Sequence, residues 1–230
     1  MTGRIAVLVT LLCMTHGSFL FAQSEEKQLS EEASLLDFGL KTAVSLPSFF
    51  WFEDNSWNNA TGTGVMPAAW AFVAVNFTDA VSLQIEAGYN GKGCYVKASD
   101  GKLLWWFSYL EMPVMIKYSV SLSSVSQFWI AGGGYFARFL GGRYKFDVPG
   151  SEWIGRGTLS TGTAEKVTEI RPYDYGLLLS AGSMNGNFVY EFRFPFGLTP
   201  VLAFTPADGD YGGYRMAVNS GFLLSVGYQF

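Results

Sequence analysis

Alternation of apolar residues with polar or small ones is the feature that most constrains the fold of this 230-residue chain. The final segment, 222–230, shows it most clearly, because every second residue is aromatic or aliphatic and Ser225, Gly227 and Gln229 lie between them. Segments 81–90, 110–118 and 188–197 repeat the pattern. A period of two predicts β-strands whose two faces meet different surroundings.

This pattern predicts eight strands. They cover residues 37–46, 67–77, 81–90, 105–118, 128–140, 173–184, 188–197 and 215–230. The connections between them alternate in length. The short ones are 78–80, 119–127 and 185–187, and the long ones are 47–66, 91–104, 141–172 and 198–214. Asn185–Gly186 favours a tight hairpin, because such a turn needs a residue that tolerates a positive φ.

Two kinds of closed barrel fit this alternation, and they differ in which face is apolar. A lipocalin-like soluble barrel turns its apolar face inward, whereas a membrane barrel turns it toward lipid. Only 15% of the residues are charged, aromatic residues collect at strand ends, and short turns alternate with long loops. We therefore predict an all-β fold, an eight-stranded antiparallel up-and-down transmembrane β-barrel with short periplasmic turns and longer external loops. Eight strands enclose a space just wide enough for side chains, which argues against a wide pore.

The N-terminus predicts export to the bacterial outer membrane. Arg4, the apolar stretch 5–14 and the small residue Ala22 are typical of a signal peptide covering 1–22 and cleaved near Ala22. The acidic segment 23–35 is then a short polar periplasmic leader, and 36–230 form the outer-membrane β-barrel domain.

Composition argues against an enzyme. His16, the single histidine, lies in the predicted signal peptide, and its removal leaves Cys94 as the one cysteine. A chain without histidine cannot run a Ser–His–Asp or Cys–His mechanism or build a His-containing zinc site. We predict no catalytic residues, no cofactor and no metal site. The net charge of −4 argues against a nucleic-acid partner.

Charged side chains on the non-aromatic strand faces are the first candidate site. The predicted lumen charge network consists of Lys41, Glu86, Glu111, Lys117, Glu191 and Arg193. It is either a charged constriction that selects solutes or a buried ion-pair plug, since buried charges need partners. With Asp37 and Asp174, five acids face three bases, a net charge of −2 that favours cations if water enters.

Two further features give local predictions. Pro113 lacks a backbone N–H inside a strand, and we expect a bulge or bend there. Phe49, Phe50, Trp51 and Phe52 begin a long loop, either as a loop binding surface for an apolar ligand or partner or as an aromatic girdle. The charged loop 141–172 is the natural surface epitope.

Several segments resemble PorT-like outer-membrane β-barrels. Tyr109–Tyr118 is the most specific segment. Segments 130–135, 190–194 with 197–199, and 223–230 are similar to further strands of that family, whereas the long loops and 194–196 depart from it. The resemblance implies the fold and the location. The last strand is also similar to the C-terminal signal read by barrel-assembly machinery, carried here by Phe222, Leu224, Val226, Tyr228 and Phe230.

The predicted function is therefore that of an integral outer-membrane protein with a structural or interaction role. Its surface-exposed loops would serve as a surface antigen or bind a partner. The alternative is a narrow, porin-like channel or transporter for a small or hydrophobic solute. The expected partners are outer-membrane lipid, the barrel-assembly machinery, and a small hydrophobic ligand or a host or cell-envelope partner.

Overall fold

The computed structural model describes residues 35–52, 60–98, 101–147, 154–162, 169–204 and 215–230. These residues belong to one compact unit, Ala33–Phe230. The predicted signal peptide, 1–22, and the leader up to residue 34 lie outside the described residues. Among the residues described, no helix is both long enough and apolar enough to cross a bilayer.

The described residues form β-strands almost throughout. The strands are β1 (Leu36–Phe52), β2 (Thr61–Thr63), β3 (Met66–Asn76), β4 (Val81–Lys92), β5 (Cys94–Ala98), β6 (Gly101–Ser121), β7 (Ser126–Asp147), β8 (Ile154–Thr161), β9 (Glu169–Ile170), β10 (Tyr173–Asn185), β11 (Phe188–Gly197), β12 (Leu202–Phe204) and β13 (Arg215–Gln229).

Eight of these strands close into a ring in which every neighbouring pair is antiparallel. Their order is β1, β3, β4, β6, β7, β10, β11 and β13, which pairs back to β1. This is also their order along the chain, so each strand pairs with the next one in sequence. Each of the eight predicted strands corresponds to one ring strand.

The two ends of the ring differ in their connections. At one end, here the turn end, the ring strands are joined by the short segments 77–80, 122–125 and 186–187. Asn185 pairs with Phe188, and Gly186 has a φ of +56°, as the predicted tight hairpin requires. At the other end, here the loop end, several strands run further than expected. β1 continues to Phe52 and β7 to Asp147.

The segments expected to be long loops contain five short strands, and this expectation is corrected. β5 pairs with the extended β6, β2 with β5, β8 with the extended β7, and β12 with β13. β9 pairs with β8 in parallel. The physical reason is that a ring strand that continues past its neighbours exposes unpaired backbone groups, which a short returning segment can satisfy.

Pro113 does not produce the expected bulge. On the β4 side, Ile85 pairs with Val114 and Gly88 with Glu111, so the register is the same before and after the proline. Two cross-strand pairs are simply missing from the ladder between them. The shift in register lies elsewhere, between Ser108 and Tyr109 where β6 meets β7. The missing N–H of Pro113 therefore interrupts hydrogen bonding without displacing the strand.

The outer face of the ring is apolar and the inner face carries the charges. On β6, Leu110, Met112, Val114, Ile116 and Tyr118 are 42–62% exposed, and the residues that alternate with them face the interior. We call the outward apolar side chains of the ring strands the apolar belt. This facing is that of a membrane barrel and the reverse of a lipocalin-like one. The alternating residues of the last strand, Phe222 to Phe230, belong to the apolar belt.

Candidate functional site

Four charged side chains from three strands meet inside the ring, and we call them the paired cluster. It consists of Lys41 on β1, Glu86 on β4, and Glu191 and Arg193 on β11. Lys41 Nζ lies 2.5 Å from Glu86 Oε1 and 2.6 Å from Glu191 Oε2. Arg193 Nη2 lies 2.8 Å from Glu86 Oε1 and 2.8 Å from Glu191 Oε1. Each base thus contacts both acids, and no side chain of the four is more than 3% exposed.

Polar and aromatic neighbours complete the paired cluster. Gln84 Nε2 donates a hydrogen bond of 2.6 Å to Glu86, and Ser225 Oγ donates one of 3.4 Å to Glu191. The Arg193 guanidinium lies 5.2 Å from the ring centroid of Trp70. Two acids and two bases give the paired cluster a formal charge of zero, which removes most of the cost of burying them.

A second cluster lies nearer the loop end, and we call it the shared-lysine cluster. It consists of Lys92, the last residue of β4, with Glu111 on β6 and Asp174 on β10. Lys92 Nζ lies 2.8 Å from Glu111 Oε2 and 2.9 Å from Asp174 Oδ2, and all three side chains are at most 4% exposed. One base therefore serves two acids, and the formal charge of the cluster is −1.

Neutral hydrogen-bond donors stabilise the two carboxylates that share Lys92. Asn90 Nδ2 donates to Glu111 at 2.9 Å, and Asn219 Nδ2 donates to Asp174 at 2.8 Å. The hydroxyl of Tyr135 donates to Asp174 Oδ2 at 3.1 Å. The ring of the same tyrosine lies 4.1 Å from Lys92 Nζ, so Tyr135 contacts both the base and an acid. Hydrogen bonds to the charged form stabilise a carboxylate that lacks a full counter-charge.

Aromatic side chains fill the interior beyond this cluster toward the loop end. Phe49 stacks on Phe107 with ring centroids 5.6 Å apart, and the Phe49 and Trp105 centroids are 5.9 Å apart. Trp51 packs edge-on against Phe49 at 5.9 Å and is 1% exposed. Phe107 also packs edge-on against Tyr109 at 6.4 Å, and the Tyr109 ring lies 5.1 Å from Lys92 Nζ, so buried rings continue from the shared-lysine cluster toward the loop end.

The predicted loop binding surface formed by Phe49, Phe50, Trp51 and Phe52 is corrected by this arrangement. The four residues belong to β1 rather than to a loop, and consecutive side chains of a strand point to opposite faces. Phe49 and Trp51 are buried inside the ring. Phe50 and Phe52 are 42% and 37% exposed on its outer face, where an aromatic girdle would lie.

Of the six residues of the predicted lumen charge network, the structure places four in one cluster and a fifth in a separate one. Lys41, Glu86, Glu191 and Arg193 form the paired cluster, and Glu111 belongs to the other one. Lys117 joins neither, because it lies at the turn end with its Nζ 5.7 Å from the Trp129 ring centroid. Sequence reasoning missed Lys92, because the pattern predicts a loop over 91–104, whereas β4 continues to Lys92. The alternation of Glu86, Asn90 and Lys92 on one face of β4 was the available signal.

Lys92 also changes the charge count of the interior. Adding it to the eight residues counted from the sequence gives four bases against five acids, a net charge of −1 rather than −2. The cation preference expected of a water-filled interior is weakened accordingly.

Open space in the interior narrows sharply from the turn end inward. A cavity of about 210 Å³ at that end is lined by Asp37, Lys117 and Gln127 among others. Beside Lys41 the space is about 10 Å³, roughly enough for one water molecule. The paired cluster, the shared-lysine cluster and the buried rings then follow one another toward the loop end.

The cysteine and the carboxylates of the described residues are the groups to examine for a metal site or a nucleophile. In the described ranges, no three Cys, Asp or Glu side chains converge as metal ligands. Cys94, in β5 beyond the apolar belt, is 2% exposed, and burial raises the pKa of its thiol well above the ordinary value. A thiol in that state is a poor nucleophile.

Comparison with known proteins finds one matching family model and several solved structures of similar fold. A family model described as an outer membrane protein beta-barrel domain matches residues 21–203. Ail, the attachment invasion locus protein of Yersinia pestis, is 10% identical, with 84% of this chain and 98% of Ail covered and a TM-score of 0.39. OprG from Pseudomonas aeruginosa is 12% identical, with 85% and 94% covered and a TM-score of 0.40. Neisserial surface protein A is 9% identical, with 84% and 97% covered and a TM-score of 0.39. No curated protein sequence matches the chain.

Proposed function

The chain belongs to the outer membrane protein beta-barrel domain family, and from this premise we propose that it is a non-conducting barrel that acts through its loop end. In this role it is a surface antigen or binds a host or cell-envelope partner, and the ring is the anchor that presents the loops. The finer assignment to PorT-like barrels and the cleavage of a signal peptide near Ala22 are part of the same proposal.

The filled interior is the observation that carries this proposal. Two clusters of buried ion pairs and a set of buried rings succeed one another across the ring. A solute would have to displace paired charges that are at most 4% exposed, and breaking a buried pair costs about 3–5 kcal/mol. A narrow channel or a transporter through the interior is therefore the weaker candidate.

Single-channel recording tests the closed interior. The refolded chain is placed in a planar bilayer after heat-modifiable gel mobility has shown that it is folded. We expect no discrete conductance steps. Cation-preferring steps that Arg193→Gln alters, and that Arg138→Gln on the exposed outer face leaves unchanged, would replace this proposal with the narrow channel.

Cysteine labelling tests the presentation of the loop end. Ser160→Cys near the end of β8 and Ser123→Cys in a turn-end connection are made separately in a Cys94→Ala background, and both positions are exposed. Whole cells are treated with a membrane-impermeant maleimide. We expect Ser160→Cys to be labelled and Ser123→Cys to react only after lysis. The reverse pattern would contradict a surface role for the loop end.

A further inference from the structure

A groove on the outer face of the ring lies at the loop end, away from both interior clusters. Its volume is about 910 Å³, which is in the range of ligand sites, and it is formed where the loop-end parts of β3, β4, β6, β7 and β8 run side by side. Tyr89, Trp106 and Arg143 line it together with Ser108, Lys145 and Thr158. Ser108 is the small residue of this outward face and leaves space between Tyr89 and Trp106.

The strand register places these residues on the outward face. Trp106 pairs with Arg143, which in turn pairs with Thr158, so the three lie side by side across β6, β7 and β8. Trp105 and Phe107, the neighbours of Trp106 in sequence, are buried in the interior at 0% and 1% exposure. Trp106 therefore points outward, beside an exposed arginine.

The groove begins where the apolar belt ends. Along β6 the outward residues are apolar from Val120 to Leu110, and the next outward residues are Ser108 and Trp106. Tyr89 pairs with Leu110, the last apolar position, and its hydroxyl lies 3.1 Å from Ser108 Oγ. A ligand in the groove would thus be in contact with the uppermost part of the belt.

The charges of the groove are positive. Arg143 forms no ion pair with the described residues, while Lys145 Nζ lies 3.1 Å from Asp147 Oδ2 at a partly exposed position. A guanidinium beside an indole and a tyrosine hydroxyl suits an oxyanion, because arginine makes bidentate hydrogen bonds to phosphate. Aromatic rings at the border of an apolar belt are typical of the level of lipid headgroups.

We propose that this groove binds the phosphate-bearing headgroup of an outer-leaflet lipid, whose acyl chains lie along the apolar belt below it. Arg143 and Lys145 contact the phosphate, Trp106 and Tyr89 pack against the headgroup, and Leu110 meets the first part of the acyl chains. The inference rests on the outer-membrane location in the proposed function and is independent of whether the interior conducts.

Native mass spectrometry of the refolded full chain tests this inference. The chain in detergent micelles is titrated with lipid A, an acylated disaccharide carrying two phosphates, and separately with its dephosphorylated form. We expect the phosphorylated lipid to bind and the Arg143→Gln/Lys145→Gln variant to bind it about tenfold more weakly, from the loss of two charges near the phosphate. The matched control is Lys97→Gln/Arg171→Gln, which removes two loop-end bases outside the groove.

Three outcomes of this titration would overturn the proposed headgroup site. Equal binding of both lipids, or equal weakening by the control variant, would overturn the proposed headgroup site. Binding of inorganic phosphate without any binding of lipid A would show that the groove takes a free anion instead, which also overturns it. Heat-modifiable mobility of each variant establishes that a loss of binding is not a loss of folding. A conducting barrel that still binds lipid A at Arg143 would refute the proposed function and leave the headgroup site standing.

Discussion

The paired cluster and the shared-lysine cluster solve the same problem in different ways. Both hold two carboxylates inside the ring at exposures of at most 1%. In the paired cluster, Lys41 and Arg193 each contact both acids, so every charge has two partners. In the other cluster, Lys92 alone contacts Glu111 and Asp174. Neutral donors on Asn90, Asn219 and Tyr135 supply the remaining compensation there.

This difference bears on how each cluster tolerates the loss of a base. Removing one base from the paired cluster leaves the other in contact with both carboxylates. Removing Lys92 leaves two acids with hydrogen-bond donors only. An unpaired buried charge costs more free energy than a paired one. The shared-lysine cluster, which has one base for two acids, should therefore be the less tolerant of losing a base. Four substitutions, each measured by urea unfolding of the refolded chain in lipid vesicles, test this comparison.

Lys92→Met should have the largest effect. Among the described residues, Lys92 is the base that contacts Glu111 and Asp174, and we expect its loss to lower the free energy of unfolding by about 4 kcal/mol. The control is Lys97→Met, an exposed lysine of the same region, for which a change within about 0.5 kcal/mol is expected. If Lys92→Met does not fold, Lys92→Met/Asp174→Asn should restore folding. A loss no greater than that of the control would refute the role of Lys92.

Arg193→Gln should lower the free energy of unfolding by less, about 3 kcal/mol, because Lys41 still contacts both Glu86 and Glu191. The matched control is Arg138→Gln, which removes an exposed arginine from the outer face. The order of the two cluster variants is the informative result. If Arg193→Gln destabilises the chain more than Lys92→Met does, then the presence of a second base gives no protection and the comparison fails.

Tyr135→Phe isolates one of the neutral donors. The change removes the hydroxyl that donates to Asp174 but keeps the ring that contacts Lys92. A hydrogen bond to a charged group contributes about 1.5–3 kcal/mol to stability, and we expect the free energy of unfolding to fall by about 2 kcal/mol. The control is Tyr173→Phe, an exposed tyrosine on the outer face of β10. No difference between the two variants would mean that Asp174 does not depend on this donor.

Glu111→Gln should have the smallest effect. It removes the excess acid and brings the shared-lysine cluster to neutrality, and the glutamine oxygen can still accept from Asn90. We expect the free energy of unfolding to change by no more than about 1 kcal/mol. Glu191→Gln is the counterpart in the paired cluster, where it leaves an excess base and should cost more. Equal losses in the two variants would show that the net charge of each cluster is not what sets its stability.

Much of the fold is determined by local sequence. The period of two located all eight ring strands, and the alternation at 110–118 correctly predicted which residues face outward. Asn185–Gly186 predicted the hairpin between β10 and β11. These features depend on the chemistry of neighbouring residues in the chain, which is why they can be found without knowledge of contacts. Of the bulge or bend predicted at Pro113, the bulge is absent, because a local rule does not say how adjacent strands absorb a missing donor.

The sequence by itself determined the inward face of the charges within the predicted strands, and the tertiary structure alone decided which of them meet and added Lys92. Lys41 and Glu191 are 150 positions apart, and nothing between them encodes their contact. Their meeting depends on the register of the ring strands, which sets the height of each inward side chain. The extension of β4 to Lys92 and the burial of Phe49 and Trp51 likewise follow from strands that continue because their neighbours do. Alternation fixes the face of a residue, whereas only the closed ring fixes its partner.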